Sequence, residues 1–215
     1  MPPATDPIQL LDVRMGRVQE RPDAHGRPLR SAIRKESVPG PILLGSEGLL
    51  GDEVGDRTHH GGPDQALLAY ARETYVLWAS EGRPLAPGTF GENLLLAGLD
   101  DHSACIGDRL QVGDALLQVS QPRVPCGTLQ RHLGWPDAVT RVYATARGGF
   151  YLRVLVPAPL ETGAPVKLMD RPQPAWTVAR ALHARWKAAE NPAECLAMGA
   201  LPELSADWRA RFGPA

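Results

Sequence analysis

The chain has 215 residues, of which 43% are hydrophobic and 22% charged, proportions typical of a globular protein with a substantial core. Its 23 basic and 24 acidic residues give a formal net charge of -1, which argues against a nucleic-acid polymer as partner. The sequence shows no apolar stretch of the roughly 18 residues that span a bilayer and no secretory signal pattern at its N-terminus. We therefore expect a cytoplasmic protein that does not interact with membranes.

The first part of the chain alternates strand patterns with glycine-rich loops. Residues 8–19 and 29–33 predict two strands, and the HGRP sequence at 25–28 supplies the turn of a hairpin between them. Residues 39–62 are dense in glycine and predict a loop. Residues 63–80 carry apolar side chains at roughly helical spacing, which predicts a helix.

The second part of the chain contains short apolar runs that are separated by glycine turns, a pattern typical of a β-barrel. These predicted strands lie at 94–96, 108–112, 115–119, 150–156 and 165–168. Beyond a proline-containing linker, three helices are predicted at 176–189, 192–198 and 205–212. We therefore expect a mainly β protein with some α structure, in which a barrel domain at 8–170 is followed by a small three-helix extension at 171–215.

The three cysteines are too few and too widely spaced for a disulfide framework or a paired metal site. Cys105 and Cys195 are expected to be inert thiols. Cys126 differs because it lies between a proline and a glycine and follows Arg123 by three residues. A neighbouring cation lowers the pKa of a thiol and favours the thiolate, the form that binds soft metals.

Three other segments carry candidate binding residues. Lys35 ends an apolar strand and is either part of an anion clamp or a solvated strand end. The loop at 48–66 runs through glycines into a predicted helix start, where backbone and side-chain donors can bind a phosphate, although a simple turn is the alternative. Its candidate donors are Arg57, Thr58, His59 and His60. Asn93 either binds a ligand or caps a turn.

Taken in order, these segments resemble the MOSC (molybdenum cofactor sulfurase C-terminal) domain family, and specifically its YiiM-like members. The matching motifs are SxIxKxxV at 31–38, GLxGDxxxDxxxHGGxDxA at 48–66, PGTFGENL at 87–94, CIGDRLQVGDAxLQVSQPRxPC at 105–126 and GGFYLRVL at 148–155. The resemblance spans most of residues 8–168, and the three-helix tail is similar to the YiiM-like extension.

The resemblance implies a largely antiparallel MOSC-type β-barrel and a molybdenum cofactor of the molybdopterin type, with Cys126 as the ligand of the metal. It also implies reduction of small N-hydroxylated compounds such as hydroxylamino-purines. The family's motif positions around the cofactor fall on Lys35, His60, Asn93 and Arg123. On this basis Lys35 and Arg123 would neutralise the negative charge of the cofactor.

In the same interpretation, Thr58, His59 and His60 would present donors to the cofactor phosphate or to the substrate, and His60 would act as general acid. Arg57 would assist in binding the cofactor, and Asn93 would orient a pterin edge or a substrate. The sequence contains no flavin fingerprint and no iron–sulfur cysteine set, so a reductase would need a separate electron-donor protein.

Two alternatives to a reductase remain at this stage. The protein could be a non-catalytic carrier of the cofactor or of sulfur, with a persulfide on Cys126. It could also be a small-anion-binding protein that has lost the cofactor, although the cysteine and the basic residues argue against that. The sequence is also compatible with a homodimer.

Overall fold

The computed structural model describes residues 7–58 and 60–214, which form a curled sheet with helices around it. The strands are β1 (Gln9–Met15), β2 (Gln19–Pro22), β3 (Pro28–Ser31), β4 (Glu36–Ser37), β5 (Leu44–Gly45), β6 (Gly48–Leu49), β7 (Leu67–Ala71), β8 (Leu94–Ala97), β9 (Arg109–Val112), β10 (Ala115–Pro122), β11 (Phe150–Val156) and β12 (Val166–Asp170). The helices are α1 (Arg72–Ser80), α2 (Gly127–Leu133), α3 (Ala138–Thr145), α4 (Val178–Trp186), α5 (Pro192–Gly199) and α6 (Ala206–Phe212), together with a 3-10 turn at Pro63–Gln65.

Eight strands form the main sheet in the order β12-β9-β10-β11-β7-β8-β1-β4. Every neighbouring pair is antiparallel except β7 and β8. The sheet curls until β1 meets the segment that leads into β12, where Gln9 pairs with Pro165 and the Gly163 amide donates to the Leu10 carbonyl at 3.0 Å. These contacts reduce the unpaired edge of the sheet and confirm the predicted mainly β, barrel-like fold with α structure.

The hairpin predicted near the N-terminus is also present, but it consists of β2 and β3. The predicted strand at 8–19 is divided, so that β1 enters the main sheet and β2 the hairpin. The turn is held by Asp23, whose carboxylate accepts from the amides of His25 and Arg27. Such a carboxylate-to-amide pattern is typical of turns that contain aspartate.

The prediction of a single helix at 63–80 is wrong for the first half of that segment. The chain there forms a 3-10 turn and then β7, in which all five residues are buried. Only 72–80 is helical. A short apolar run has the same sequence pattern in a buried helix and in a central strand. Residues 67–71 form a strand because they pair with β8 and β11. Helices α2 and α3 were not predicted.

The three predicted C-terminal helices are confirmed as α4, α5 and α6. Ser205 caps α6 by accepting from the Trp208 amide at 3.4 Å. The helices do not form a separate core, because Val178, Met198 and Trp208 pack in the same apolar cluster as the residues of the barrel strands. Across the described residues, no helix is both long and apolar enough to cross a membrane.

An ion pair connects the segment between barrel and helices to the barrel itself. The Arg171 guanidinium donates to both oxygens of Asp108, from Nε at 2.9 Å and from Nη2 at 2.7 Å. Asp108 is fully buried and also accepts from the Cys105 amide. Removing one partner of such a pair leaves a buried charge without compensation.

We therefore expect Arg171→Met to lower the free energy of unfolding by about 2 kcal/mol, less than for a wholly buried pair because Arg171 is partly exposed and Asp108 keeps the Cys105 amide. Urea denaturation would measure the change. Arg109→Met is the matched control, since its contact with Asp170 is 3.9 Å long and exposed. A loss as small as that of the control would show that the Arg171 pair contributes no stability.

Candidate functional site

A cleft of about 820 Å³ opens between the end of β3, the glycine-rich loop at 45–62 and the segment that follows β10. Most of the residues that the sequence singled out line this cleft: Lys35, Arg57, His60, Asn93, Arg123 and Cys126. Thr58 is exposed and does not belong to the described lining. His59 lies outside the described residues, so its predicted role stays a prediction.

Cys126 lies where the chain leaves β10 and enters α2, with extended backbone angles at the helix N-cap position. Burial raises the pKa of its thiol, but a hydrogen bond with His60 and the positive charge of Arg123 outweigh burial and lower the pKa to about 6. The Cys126 side chain makes no capping hydrogen bond to α2. The nearby Leu129 amide also lowers the pKa of the thiol. At neutral pH this cysteine is therefore a thiolate.

Arg123 stands beside Cys126 and is only 4% exposed. Its Nη1 atom is buried and has no hydrogen-bond partner among the residues that the structure describes. Tyr151 approaches the guanidinium from β11, and burial raises the pKa of its hydroxyl, which stays protonated at neutral pH. A buried cation with an open donor next to a thiolate is suited to a small anionic ligand.

Lys35 is already paired within the cleft wall. Its ammonium group binds both oxygens of Asp52, and both side chains are nearly buried. Burial lowers the pKa of Lys35, and the charge of Asp52 opposes that effect. The positive charge of Lys35, which was predicted to neutralise a cofactor, is therefore paired with Asp52 within the protein.

Asn93 completes this arrangement and is 4% exposed. Its Nδ2 donates to Asp52 at 2.9 Å and to the Arg14 carbonyl at 3.2 Å, while its Oδ1 accepts from the Leu68 amide at 3.1 Å. Both amide hydrogens are therefore used within the protein. This geometry favours a positioning role for Asn93, in which it fixes Asp52 and Lys35, over direct contact with a ligand.

The loop that carries Asn93 is built around Glu92, which is fully buried. Glu92 accepts from the Gly88 amide at 2.5 Å and from the Tyr75 hydroxyl at 2.8 Å. Burial raises its pKa. Gly88 has a φ of 90°, and a Cβ there would lie 2.3 Å from the Lys35 carbonyl oxygen, so glycine is required for this close approach.

Sequence reasoning did not single out Asp52 or Tyr151. Asp52 was present in a matched motif, but nothing in the local pattern tells which cation it pairs with. Tyr151 lies in a strand with an apolar pattern, so the sequence predicts a core residue at this position. Both enter the site only through contacts between distant parts of the chain.

The charges of the cleft lining balance in number. Four basic and four acidic side chains line it: Arg30, Lys35, Arg57, Arg123, Glu47, Asp52, Glu53 and Asp56. The cleft as a whole therefore has no strong positive field. An anion would be attracted locally, at the buried Arg123 beside Cys126.

The described residues contain no group of three or more His, Cys, Asp or Glu side chains that could hold a metal ion between them. A metal bound at Cys126 would have to bring most of its ligands with it. A cofactor that supplies its own sulfur ligands meets this condition, whereas a structural zinc ion does not.

The lowered pKa of Cys126 leads to a direct chemical prediction. Alkylation by iodoacetamide should be half-maximal near pH 6, because only the thiolate reacts. Burial raises the pKa of Cys105 and of Cys195 above the ordinary value, so both should react slowly. Mass spectrometry of the labelled peptides separates the three sites.

Replacing His60 with glutamine should move the midpoint of Cys126 alkylation to higher pH, since the hydrogen bond to the sulfur is weakened. Cys126→Ser is the control for the identity of the labelled site. A midpoint near that of an ordinary thiol, about 8.5, in the unsubstituted protein would contradict this description of the site.

Comparison with known proteins identifies the family of the chain. The model of the MOSC domain matches residues 56–167, and the model of the YiiM-like 3-alpha helix domain matches residues 176–213. The protein YflK of Bacillus subtilis is 34% identical over 204 residues, which cover 94% of this chain and 92% of YflK. A protein of Gibberella moniliformis named "Reductase" is 37% identical over 201 residues, which cover 90% of this chain but 35% of that protein.

The crystal structure of YiiM from Geobacillus stearothermophilus superposes with a TM-score of 0.79 at 34% sequence identity, covering 96% of this chain and 97% of that one. Both the barrel and the helical tail thus have counterparts in a solved structure. The chain therefore belongs to the MOSC domain family, and its C-terminal helices place it with the YiiM-like proteins.

Proposed function

We propose that this protein is a reductase of small N-hydroxylated compounds that works with a molybdenum cofactor held in the cleft. The observation that carries the proposal is the thiolate of Cys126, which lies beside the unpaired Nη1 of Arg123 in the lining of the cleft. The association of MOSC domains with the molybdenum cofactor and the reductase name of the fungal relative support it.

The residues present fit such a cofactor. Cys126 offers one soft ligand, and Arg123 offers a buried donor for an anionic group. Gly51 and Gly62 line the cleft with positive φ angles, and no atom lies within 4 Å of the position that a Cβ would take at either one. A ligand can therefore approach the bare backbone of the loop.

When bound, the cofactor supplies a two-electron couple that can remove an oxygen atom from a substrate. The overall change is R–NHOH + 2 e⁻ + 2 H⁺ → R–NH₂ + H₂O, in which the N–O bond breaks and the hydroxyl oxygen leaves as water. His60 lines the cleft next to Cys126 and is the group to which we assign proton donation to the leaving hydroxyl oxygen.

The other residues hold this site in place. The Asp52–Lys35 pair and Asn93 keep the glycine-rich loop against β1, and the neutral hydroxyl of Tyr151 orients Arg123. The two electrons come from outside the chain. We propose a separate donor protein, because the sequence contains no flavin fingerprint and no iron–sulfur cysteine set.

Metal analysis tests the proposal. Protein from a molybdenum-replete host should contain about one molybdenum per chain, and Cys126→Ser should remove nearly all of it. Cys105→Ser is the matched control, because Cys105 is buried outside the cleft and should leave the metal content unchanged. Activity on a hydroxylamino-purine with an artificial reductant then measures catalysis.

Two outcomes would contradict the proposal. Equal loss of molybdenum in Cys105→Ser and Cys126→Ser would remove the ligand assignment. A protein without molybdenum but with a cyanide-labile sulfur on Cys126 would instead support the sulfur carrier.

A further inference from the structure

A second, smaller pocket lies beside the cleft, between the β2–β3 hairpin and α2. We call it the arginine pocket; its polar lining includes Arg17, Arg21, Arg34, Ser31 and His132. All three arginines are exposed. Their convergence on one small concave site differs from an ordinary solvated surface, where positive and negative side chains alternate.

Two carboxylates in segments that adjoin the arginine pocket form hydrogen bonds with other groups. Asp23 accepts from Arg27 at 3.2 Å and from Arg131 at 3.0 Å. Glu53 accepts from the Val18 amide at 2.7 Å.

Glu20 lies on the other face of the hairpin, in register with Arg30, because successive side chains of a strand alternate in direction. Within residues 7–58 and 60–214, none of Arg17, Arg21 and Arg34 forms an ion pair with a carboxylate. The arginine pocket therefore keeps an uncompensated positive charge.

His132 on α2 is affected by this positive charge. Burial lowers the pKa of its imidazole, and repulsion by Arg34 and Arg123 adds to that, bringing the pKa to about 4. The ring is thus neutral at pH 7 and can accept or donate one hydrogen bond. A neutral donor among guanidinium groups is well suited to a phosphate oxygen.

The arginine pocket and the cleft are neighbours. Ser31, at the end of β3, lines both of them. Arg123, which stands beside Cys126 in the cleft, is also close enough to act electrostatically on His132. The two sites therefore adjoin. The arginine pocket has a volume of only about 20 Å³, so a phosphate would bind to the exposed guanidinium groups at its mouth.

We propose that the arginine pocket binds the phosphate of the substrate, so that the protein favours an N-hydroxylated nucleoside phosphate over the free N-hydroxylated base. This inference rests on the proposed function for the reacting end of the substrate. The arginines recognise the phosphate by charge-assisted hydrogen bonds, and discrimination from the free base follows from those bonds.

The test separates phosphate binding from turnover. Calorimetry on the purified protein would compare adenosine 5′-monophosphate with adenosine, and NMR would follow the His132 ring. The monophosphate should bind at least about tenfold more tightly, because charge-assisted hydrogen bonds add to the affinity. Its binding should also perturb the His132 resonances.

The double substitution Arg17→Gln/Arg21→Gln should abolish that preference. Arg72→Gln, which changes an exposed arginine on α1, should leave it unchanged. In turnover, the double variant should raise KM for the N-hydroxylated nucleoside monophosphate about tenfold and leave kcat near its original value. The KM of the free hydroxylamino-purine should not change.

Equal affinity for adenosine and its monophosphate would overturn the proposal. A fall in molybdenum content in the double variant would also overturn it, because the arginine pocket would then hold the phosphate of the cofactor. If the protein binds the monophosphate preferentially but reduces neither compound, the reductase function fails while the phosphate site stands.

Discussion

Replacing Asn93 with alanine is expected to lower the free energy of unfolding by about 4 kcal/mol, because three hydrogen bonds are lost in a buried position. The change strands the Leu68 amide and the Arg14 carbonyl and weakens the support of Asp52. Urea denaturation of the purified protein measures the loss. Under the proposed function, the variant should also retain less molybdenum, because the wall of the cleft is loosened.

Thr89→Ala is the matched control in the same loop. The Thr89 hydroxyl donates to the Ala86 carbonyl at 2.5 Å, a local and exposed bond, so its loss should cost less than about 1 kcal/mol. If Asn93→Ala were as mild as this control, water would have replaced the bonds of Asn93, and its positioning role would be refuted.

Asp101 should give the protein a pH-dependent stability that Asp101→Asn removes. Asp101 is buried, and its carboxylate accepts from the Gly149 amide at 2.8 Å. Burial raises its pKa from 3.8 to about 7, and the Gly149 bond only partly opposes this. The folded protein therefore binds a proton more tightly than the unfolded chain does.

The direction of the pH dependence follows from this difference in proton affinity between the folded and unfolded states. The contribution of Asp101 to stability is fully present below about pH 4 and is lost as the pH rises through about 7. A shift of this size corresponds to up to about 4 kcal/mol between pH 4 and pH 8. Asp101→Asn keeps an acceptor for Gly149 but cannot ionise, so its stability should fall less over the same range.

Denaturant titrations of both proteins at pH 4, 6 and 8 would measure the two slopes. The informative quantity is the difference between the proteins, since other groups that titrate contribute equally to both. Parallel pH profiles would mean that Asp101 ionises normally in the folded state, and this account of its burial would be wrong.

Predictions from local sequence succeeded where short-range physics decides the structure. The short strands of the barrel follow from apolar runs between glycine turns, and the tail helices from their periodicity and the Ser205 cap. The same reasoning failed at residues 67–71, because a central strand and a buried helix have the same apolar pattern. It also missed α2 and α3, which are only seven and eight residues long.

The sequence by itself determined which of the three cysteines has a lowered pKa. Arg123 and Cys126 are three residues apart, so their interaction is local and can be read from the chain. Only the tertiary structure brought His60 to the sulfur and paired Lys35 with Asp52. These contacts join residues far apart in sequence, and their geometry depends on how the glycine-rich loop packs against the barrel, which no local pattern encodes.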